Sequence, residues 1–321
     1  MKNGGIERVA FIDEVHPHLK QQLIERGITC DDLTKVDSNK VLESIKIYDG
    51  IVIRSRFPVD KQLLDGASRL KFVARSGAGM ENINIDYAKD KGIALFNSPE
   101  GNRTAVAEHA IGMLLSLFNH LNRADKQVRD SIWLREQNRG IELEGKTVGI
   151  IGYGNMGSAF AERLQCFGVK VIAYDKYKNG YGNKMVRETD WEQIYKEVDV
   201  LSLHVPLAED TLYLMDEKRF DKFKKPIYLI NTARGKNVKT KDLVKALDDE
   251  KVLGACLDVL EFENTAFEKM EGSDKDYKAL MKSDKVILSP HVAGWTNESY
   301  FKLSDFLFQK IAYRFFDQNQ P

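Results

Sequence analysis

The stretch Thr147-Val-Gly-Ile-Ile-Gly152-Tyr-Gly154-Asn-Met-Gly157 decides the fold of this chain. It opens with an apolar, β-branched run that is typical of a buried strand, and a helix-length segment follows the glycines. Gly152 permits a tight turn, Gly154 lets the backbone approach a pyrophosphate, and Gly157 lets the helix lie close to the strand. The helix N-terminus presents unpaired N–H groups and a partial positive charge to an anion. The stretch therefore predicts a dinucleotide site.

Asp175 lies 18 residues beyond Gly157, at the end of the next predicted strand. This is close to the spacing at which a carboxylate accepts hydrogen bonds from the adenosine ribose of NAD. The carboxylate would repel the 2′-phosphate of NADP, and no arginine stands beside it in the sequence. The pattern therefore favours NAD, and the alternative is an aspartate that only caps the turn after a strand.

On both sides of this stretch, short β-branched runs alternate with amphipathic, helix-length segments, which predicts an α/β fold with parallel sheets. The first series has four predicted strands and the second has six, as a doubly wound nucleotide-binding domain requires. The predicted strands are Arg8–Asp13, Gly50–Arg54, Leu70–Arg75, Ile93–Asn97, Thr147–Gly152, Lys170–Asp175, Asp199–His204, Ile227–Ala233, Val252–Val259 and Val286–Pro290.

Three segments outside these runs need their own interpretation. Apolar residues recur at helical spacing over Asn102 to Asn122, which predicts a helix that could bridge two domains. The polar segment from Arg123 to Glu144 has no clear period, and it is either a loose linker or an arm that packs on a partner subunit. In Asn297 to Phe316 an apolar stripe predicts a last helix that faces the core.

Length, charge and cysteine content exclude several classes of protein. A chain of 321 residues suggests two domains with real cores. Lys+Arg and Asp+Glu both total 48, so there is no net attraction to nucleic acid or to an anionic membrane surface. Three widely spaced cysteines suggest neither a disulfide framework nor a zinc site. With no apolar run of signal or membrane-spanning length, we expect a cytoplasmic protein without a metal.

Three polar residues, Arg234, Glu263 and His291, follow successive apolar strands. In an open α/β sheet, ligands bind beyond the carboxyl ends of the strands, so these residues are candidates for the reaction. The arginine can hold a carboxylate through two parallel hydrogen bonds. The histidine can take the proton of an alcohol as hydride leaves, and the glutamate can orient the ring. The alternatives are a surface arginine, a hydrogen-bonded core histidine and a solvated glutamate.

The motifs taken in order resemble those of the D-isomer-specific 2-hydroxyacid dehydrogenase family. They are Gly77-Ala-Gly79, Asn102-x-x-x-Val106-Ala107-Glu108, the Gly152 to Gly157 turn, Asp175, His204-x-Pro206, Asn231-Thr-Ala-Arg234-Gly235, Asp258-Val-Leu-x-x-Glu263 and His291-Val-Ala-Gly294. The resemblance implies two doubly wound parallel-sheet domains: a flavodoxin-like substrate domain of residues 1–98 and 295–321, and a Rossmann NAD domain of residues 99–294. It also implies a homodimer built on the long helix and the arm.

The same resemblance implies roles for individual residues. Arg234 binds the acid, His291 is the general acid/base, and Glu263 pairs with His291. Backbone groups of Ser76, Gly77, Ala78 and Gly79 hold the substrate carboxylate. The residues implied to bind NAD are Thr104, Gly152, Gly154, Asn155, Met156, Gly157, Asp175, His204, Pro206, Thr211, Thr232, Ala233, Asp258 and Gly294.

Three arginines, Arg54, Arg75 and Arg135, bear on the substrate. Arginines at the matching positions of phosphoglycerate dehydrogenases, which belong to this family, surround the substrate phosphate. The resemblance therefore implies oxidation of 3-phosphoglycerate to 3-phosphohydroxypyruvate and a role in serine biosynthesis. The alternatives are glycerate or hydroxypyruvate, lactate, another small 2-hydroxy acid, or an NAD-sensing corepressor without catalysis. The arginines could also form ordinary surface or interface ion pairs.

Three features depart from the family pattern, and the first is Glu81, which stands where an aspartate usually precedes the asparagine of the glycine loop. Asn264 stands where the family commonly has a proline, and the loop from Glu268 to Lys285 is longer and more charged than usual. The latter two bear on the local geometry of Glu263. Since the chain ends soon after its last predicted helix, we expect it to lack the additional serine-sensing domain of some phosphoglycerate dehydrogenases.

Overall fold

The computed structural model describes residues 5–263 and 275–317. Contacts divide these residues into two compact units, each with its own parallel sheet. The first unit contains residues 5–102 and 295–317, and the second contains residues 103–263 and 275–294. The predicted α/β fold with two doubly wound domains is confirmed.

The first unit is built on a five-stranded parallel sheet. Its strands are β1 (Arg8–Phe11), β2 (Thr29–Asp32), β3 (Gly50–Ile53), β4 (Phe72–Arg75) and β5 (Ala94–Asn97), in the order β2-β1-β3-β4-β5. This is the flavodoxin-like order, in which the direction of strand addition reverses after β2, so that β3 lies on the other side of β1. The four predicted strands are confirmed. The strand β2 was not predicted, because its residues, Thr-Cys-Asp-Asp, form no apolar run.

The second unit is built on a seven-stranded parallel sheet. Its strands are β6 (Thr147–Ile151), β7 (Lys170–Tyr174), β8 (Arg187–Glu188), β9 (Val200–Leu203), β10 (Ile227–Asn231), β11 (Val252–Leu257) and β12 (Val286–Leu288). Their order is β12-β11-β10-β9-β6-β7-β8, which contains the Rossmann arrangement with one further strand at an edge. The six predicted strands are confirmed, whereas the two-residue edge strand β8 was missed.

Helices cover both faces of each sheet. In chain order they are α1 (Pro17–Glu25), α2 (Ser38–Ser44), α3 (Lys61–Gly66), α4 (Ile85–Asp90), α5 (Pro99–Phe118), α6 (Leu121–Arg129), α7 (Asn155–Arg163), α8 (Trp191–Glu197), α9 (Glu217–Phe220), α10 (Thr240–Asp248), α11 (Lys275–Lys282) and α12 (Asn297–Phe315). Short 3-10 turns occupy Ile45–Ile47, Glu136–Asn138, Leu164–Phe167 and Gly235–Asn237.

Side chains that alternate along the strands form a core on each side of each sheet. In the second unit, Val148 and Ile150 pack with α5 and α7, whereas Ile151 and Leu203 pack with the layer of α8 and α10. In the first unit, α12 buries Leu307 and Ile311 completely against the sheet. Each such burial contributes roughly 1.5–3 kcal/mol. The predicted core-facing stripe of the last helix is confirmed.

The glycine turn after β6 has the geometry that its sequence predicts. Gly152 has a φ of +92°, and a Cβ there would lie 2.6 Å from the carbonyl oxygen of His204. A Cβ on Gly157 would lie 2.1 Å from the carbonyl oxygen of Gly152, so no side chain fits between turn and helix. A Cβ on Gly154 would meet no atom within 4 Å. The turn therefore packs tightly at two glycines and is open at the third.

The helix predicted over Asn102 to Asn122 is α5, which begins and ends a few residues earlier. The polar segment after it contains a helix that the sequence analysis missed, α6, followed by the 3-10 turn at Glu136–Asn138. We call residues 121–144 the arm. Six of its apolar side chains are exposed: Leu121, Val128, Ile132, Trp133, Leu134 and Ile141.

The described residues contain neither a membrane-spanning helix nor a cluster of metal ligands. Among residues 5–263 and 275–317, no helix has the length and apolar character needed to cross a bilayer. The same residues contain no group of three or more His, Cys, Asp or Glu side chains that could hold a metal ion.

Candidate active site

In the second unit, polar residues follow the carboxyl ends of five strands, and the glycine turn follows a sixth. The glycine turn follows β6, Asp175 follows β7, His204 follows β9, Arg234 comes three residues after β10, Asp258 follows β11, and Ser289 follows β12. Because all neighbouring strands are parallel, these ends lie at one edge of the sheet. An open α/β sheet binds its ligands at this edge.

His291 and Glu263 are in direct contact. The Nδ1 atom of His291 lies 2.7 Å from Oε2 of Glu263, and both side chains are largely buried. The other carboxylate oxygen of Glu263 accepts a short hydrogen bond from the backbone N–H of Leu260. An ionised carboxylate can only accept, so Nδ1 carries the hydrogen and Nε2 is left as the basic nitrogen.

The backbone of His291 has a φ of +55°, a left-handed conformation that is uncommon for residues other than glycine. Asp258 holds this turn. Its carboxylate accepts hydrogen bonds from the N–H groups of Val292 and Ala293, each at 2.9 Å, and its carbonyl oxygen accepts the N–H of His291 at 2.8 Å. The Asp258 residue is only 1% exposed. The orientation of His291 therefore depends on a buried carboxylate at the end of the neighbouring strand.

Arg234 lies in a turn that is fixed by backbone contacts. The Asn231 side chain receives the N–H of Ala233 and donates to the carbonyl oxygen of Arg234. A Cβ on Gly235 would lie 1.9 Å from the carbonyl oxygen of Leu260, so only glycine fits there. The guanidinium of Arg234 donates to the Ala233 carbonyl at 2.6 Å and is part-buried. The turn thus holds a cation at the end of β10, two strands from the turn of His291.

Asp175 caps its own turn. Its carboxylate accepts backbone N–H bonds from Tyr153 at 2.8 Å, Tyr177 at 2.9 Å and Lys178 at 3.0 Å. The capping role considered for this residue is therefore present. It does not exclude contact with a ribose, because a carboxylate has about four acceptor positions.

Two buried polar atoms at this edge lack a partner within the described part of the chain. One is Nδ1 of His204, whose Nε2 lies 2.8 Å from the Ser202 hydroxyl. Burial lowers the pKa of His204 to about 3, so the ring is neutral near pH 7. The other is the hydroxyl of Thr232. Buried polar atoms are normally hydrogen-bonded, so these two atoms fit a site that a polar ligand completes.

The other residues predicted to bind NAD are distributed around the same edge. Asn155 and Met156 are the first two residues of α7, and Gly294 follows the turn of His291. The Thr211 hydroxyl is used within its own loop, where it donates to the Pro206 carbonyl at 2.6 Å and accepts the N–H of Ala208. Thr104 lies on α5, and Ala233 lies beside Arg234.

In the first unit, Arg54 and Arg75 lie together at the ends of β3 and β4. The Arg75 side chain donates from Nε to the carbonyl oxygen of Arg54 at 3.1 Å, and the residue is only 8% exposed. The Arg54 guanidinium lies 4.2 Å from the ring centroid of Trp295. The segment of Ser76, Gly77, Ala78 and Gly79 continues from β4. Arg135 belongs to the second unit, where it is exposed in the arm.

His109 is a residue of this region that the sequence analysis missed. Its ring lies on α5, 2.9 Å from the hydroxyl of Ser289. The only local sign of a role for His109 is its place beside Ala110 in the apolar stripe of α5. This pattern does not predict a hydrogen bond to a residue 180 positions away. Two features named in the sequence analysis, Asn264 and the first part of the charged loop at residues 268–274, lie outside the described residues.

Comparisons with known proteins bear on this arrangement. Residues 111–293 match the family model described as "D-isomer specific 2-hydroxyacid dehydrogenase, NAD binding domain". The chain is 33% identical over 300 residues to the hydroxypyruvate reductase of Thermotoga maritima, covering 94% of each chain. It is 32% identical to the D-3-phosphoglycerate dehydrogenase of Archaeoglobus fulgidus, covering 90% of this chain and 53% of that protein. This chain therefore spans about half the length of that relative.

A solved structure of a 2-hydroxyacid dehydrogenase has a closely similar fold. The D-lactate dehydrogenase of Aquifex aeolicus, complexed with NAD and lactic acid, superimposes with a TM-score of 0.81 at 28% identity, covering 96% of this chain and 95% of that one. The predicted NAD cofactor and the predicted class of NAD-dependent 2-hydroxyacid dehydrogenases are confirmed. This chain belongs to the D-isomer-specific 2-hydroxyacid dehydrogenase family.

Proposed function

We propose that the protein transfers a hydride between NAD and a D-2-hydroxy acid, with His291 as the general acid/base. The observation that carries this proposal is the 2.7 Å contact between His291 and Glu263, two strands from Arg234 at the same edge of the sheet. The contact leaves Nε2 of His291 as the base that takes the hydroxyl proton of the acid. In the reverse direction the same nitrogen donates the proton to a 2-oxo acid.

The other two residues have supporting roles in this proposal. The fixed charge of Arg234 binds the carboxylate of the acid and polarises its carbonyl. Glu263 stabilises the imidazolium that forms after proton transfer, because its carboxylate accepts the Nδ1 hydrogen. It also prevents the ring from turning, since its second oxygen is held by the Leu260 N–H.

The residues at the edge of the second sheet fit NAD. The open face of Gly154 and the N-terminus of α7 suit a pyrophosphate, and Asp175 retains acceptor capacity for the ribose. Nδ1 of His204 and the hydroxyl of Thr232, which have no partner among the described residues, suit polar groups of the same ligand. Bound NAD supplies the hydride acceptor at the nicotinamide ring. We assign the second unit to the cofactor and the first unit to the substrate.

For the substrate we propose 3-phosphoglycerate, which would be oxidised to 3-phosphohydroxypyruvate. The Arg75 side chain donates to the backbone carbonyl of Arg54, these two arginines lie at the ends of neighbouring strands of the first unit, and Arg75 is nearly buried. A phosphate accepts charge-assisted hydrogen bonds from arginines placed in this way. Arg135 is the third proposed contact and would come from the arm. The relative in Archaeoglobus fulgidus supports the same substrate.

Hydroxypyruvate, with its reduction to glycerate, is the second candidate. It is favoured by the relative from Thermotoga maritima, which matches this chain over 94% of both lengths. The two candidates differ in the phosphate, so a requirement for phosphate separates them.

We further propose that the protein is a homodimer that pairs through the arm. The six exposed apolar side chains of the arm include Trp133, which is 75% exposed. Several large apolar side chains exposed within one short segment are typical of an interaction site. A second copy is the proposed occupant because the family resemblance places the subunit contact there.

Replacing His291 with Asn should abolish most of the activity. Asparagine tolerates the left-handed backbone at this position, so the fold should survive, while the proton acceptor is lost. We expect the turnover number for the preferred acid to fall by about 10² to 10⁴-fold, with NAD binding unchanged. His120→Asn is the matched control, because His120 has a φ of +52° in the same unit. An His291→Asn enzyme that keeps more than a tenth of the wild-type turnover would remove His291 from the acid/base role.

Replacing Gly154 with Leu should block NAD while leaving the fold intact. The added side chain meets no protein atom near its Cβ, but it occupies the space proposed for the pyrophosphate. We expect NAD affinity to fall at least about 100-fold, equivalent to roughly 2.7 kcal/mol, in fluorescence titrations. Gly157→Ala should instead lower the urea unfolding midpoint, since its Cβ meets backbone. Unchanged NAD affinity in Gly154→Leu contradicts the proposed site.

Replacing Arg54 with Met should discriminate between acids with and without phosphate. Losing a charge-assisted hydrogen bond of about 1.5–3 kcal/mol should lower kcat/KM for 3-phosphoglycerate by about 10 to 100-fold. The value for glycerate should change by less than about threefold. Arg26→Met, which also removes an arginine lying over an aromatic ring in the first unit, is the control. Equal losses with both acids would exclude Arg54 as a phosphate contact.

Sedimentation analysis should give twice the chain mass of 36.6 kDa. A charge buried in an apolar interface is costly, so Trp133→Asp combined with Ile132→Asp should yield a monomer. Tyr313→Asp, which alters a 70% exposed side chain outside the arm, should leave the mass unchanged. Wild-type protein that sediments as a monomer, or a double variant that remains dimeric, would refute pairing through the arm.

A further inference from the structure

A chain of hydrogen bonds connects α5 to the turn of His291. His109, on α5, has its Nε2 atom 2.9 Å from the hydroxyl of Ser289. Ser289 directly follows β12, and its hydroxyl lies 2.6 Å from Oδ1 of Asp258. Because Asp258 holds the N–H groups of residues 291–293, the chain extends from His109 to the proposed acid/base.

The direction of each hydrogen bond follows from the groups involved. The hydroxyl of Ser289 has one hydrogen, and the short contact to an ionised carboxylate takes it, because charge-assisted bonds are the stronger ones. The competing acceptor, the sulfur of Met113, is 3.7 Å away and weak. Ser289 must then accept from His109, so Nε2 of His109 carries a hydrogen. His109 is thus a donor to the serine.

The chain adds a side-chain donor to the carboxylate of Asp258 that already accepts the N–H groups of the turn. Oδ1 receives both the Ser289 hydroxyl and the N–H of Val292, and Oδ2 receives the N–H of Ala293. A carboxylate that rotates to follow Ser289 therefore loses its alignment with the turn. Nε2 of His109 also lies 3.6 Å from Oδ1, close enough to add attraction whenever the ring is protonated.

We propose that His109 is a positioning residue: through Ser289 and Asp258 it fixes the turn that carries His291. This inference rests on the proposed role of His291 as the acid/base. His109 donates to a serine rather than to a reacting atom, so its contribution lies in geometry. Misplacing a reacting group by about 1 Å reduces rates by up to about 10²-fold, which sets the size of the expected effect.

Kinetics of two substitutions test the proposal. His109→Leu removes the donor, and we expect kcat for the preferred acid to fall by about 10 to 100-fold while KM for the acid changes by less than about threefold. His109→Gln restores an N–H donor at a similar reach and should recover kcat to within about threefold of wild type. Glu108→Ala is the control, because it removes a polar contact to Arg163 from the neighbouring position of α5.

A second readout does not depend on turnover. With ¹³C-labelled histidine, the ring resonance of His291 is identified by its absence from His291→Asn. We expect this resonance to move by more than its linewidth in His109→Leu and in Ser289→Ala, and to stay in place in Glu108→Ala. If no 2-hydroxy acid is oxidised, the proposed reaction fails but this measurement still decides the positioning role.

A reduced kcat with a displaced His291 resonance, both recovered in His109→Gln, supports the proposal. A kcat within twofold of wild type, an unmoved resonance in His109→Leu, or equal losses in the Leu and Gln variants overturns it.

Discussion

The buried carboxylate of Asp258 is the constraint on which the rest of the site depends. It lies at the end of β11, between the strand that leads to Arg234 and the strand that leads to His291. A left-handed residue costs roughly 1–2 kcal/mol, whereas each hydrogen bond to a charged group contributes about 1.5–3 kcal/mol. The bonds from Val292 and Ala293 therefore outweigh the strain at His291. Without the carboxylate, the favoured backbone at residue 291 would turn the ring away from Glu263.

Because the strands of the second sheet are parallel, the residues that fit the cofactor and the residues proposed for the reaction lie at the same edge. The strands β6, β7 and β9 lead to the residues that fit the dinucleotide, and β10, β11 and β12 lead to the residues proposed for the chemistry. Tight packing at Gly157 lets α7 point its N–H groups along this edge. In the proposed reaction, the topology of the second unit therefore brings the cofactor site and His291 to the same edge of one sheet.

Sequence patterns predicted the parts of the fold that are governed by burial. All ten apolar runs became strands because a sheet covered on both faces needs continuous apolar residues. The edge strands β2 and β8 escaped prediction, since Thr29–Asp32 and Arg187–Glu188 are polar and one neighbouring strand is enough to form them. Helix α6 was missed for a related reason. Its exposed, polar sequence buries no residue within the chain, so no apolar period marks it.

Some residues of the candidate site could be predicted from the sequence, and others could not. Residues that stand just beyond apolar strands, such as Arg234 and His291, could be selected because strand ends meet at one edge. The contact between His109 and Ser289 joins positions 180 residues apart, and no local pattern encodes it. The exposed position of Arg135 likewise gives no local sign of a function. Its proposed role depends on a second subunit, which one sequence does not describe.

The most direct test is a crystal structure with NAD and a non-reducible analogue of the 2-oxo acid. The account predicts Nε2 of His291 within about 3.2 Å of the oxygen on C2 of the analogue, and the guanidinium of Arg234 on its carboxylate. An analogue bound beside the nicotinamide with the ring of His291 beyond hydrogen-bond reach would contradict it.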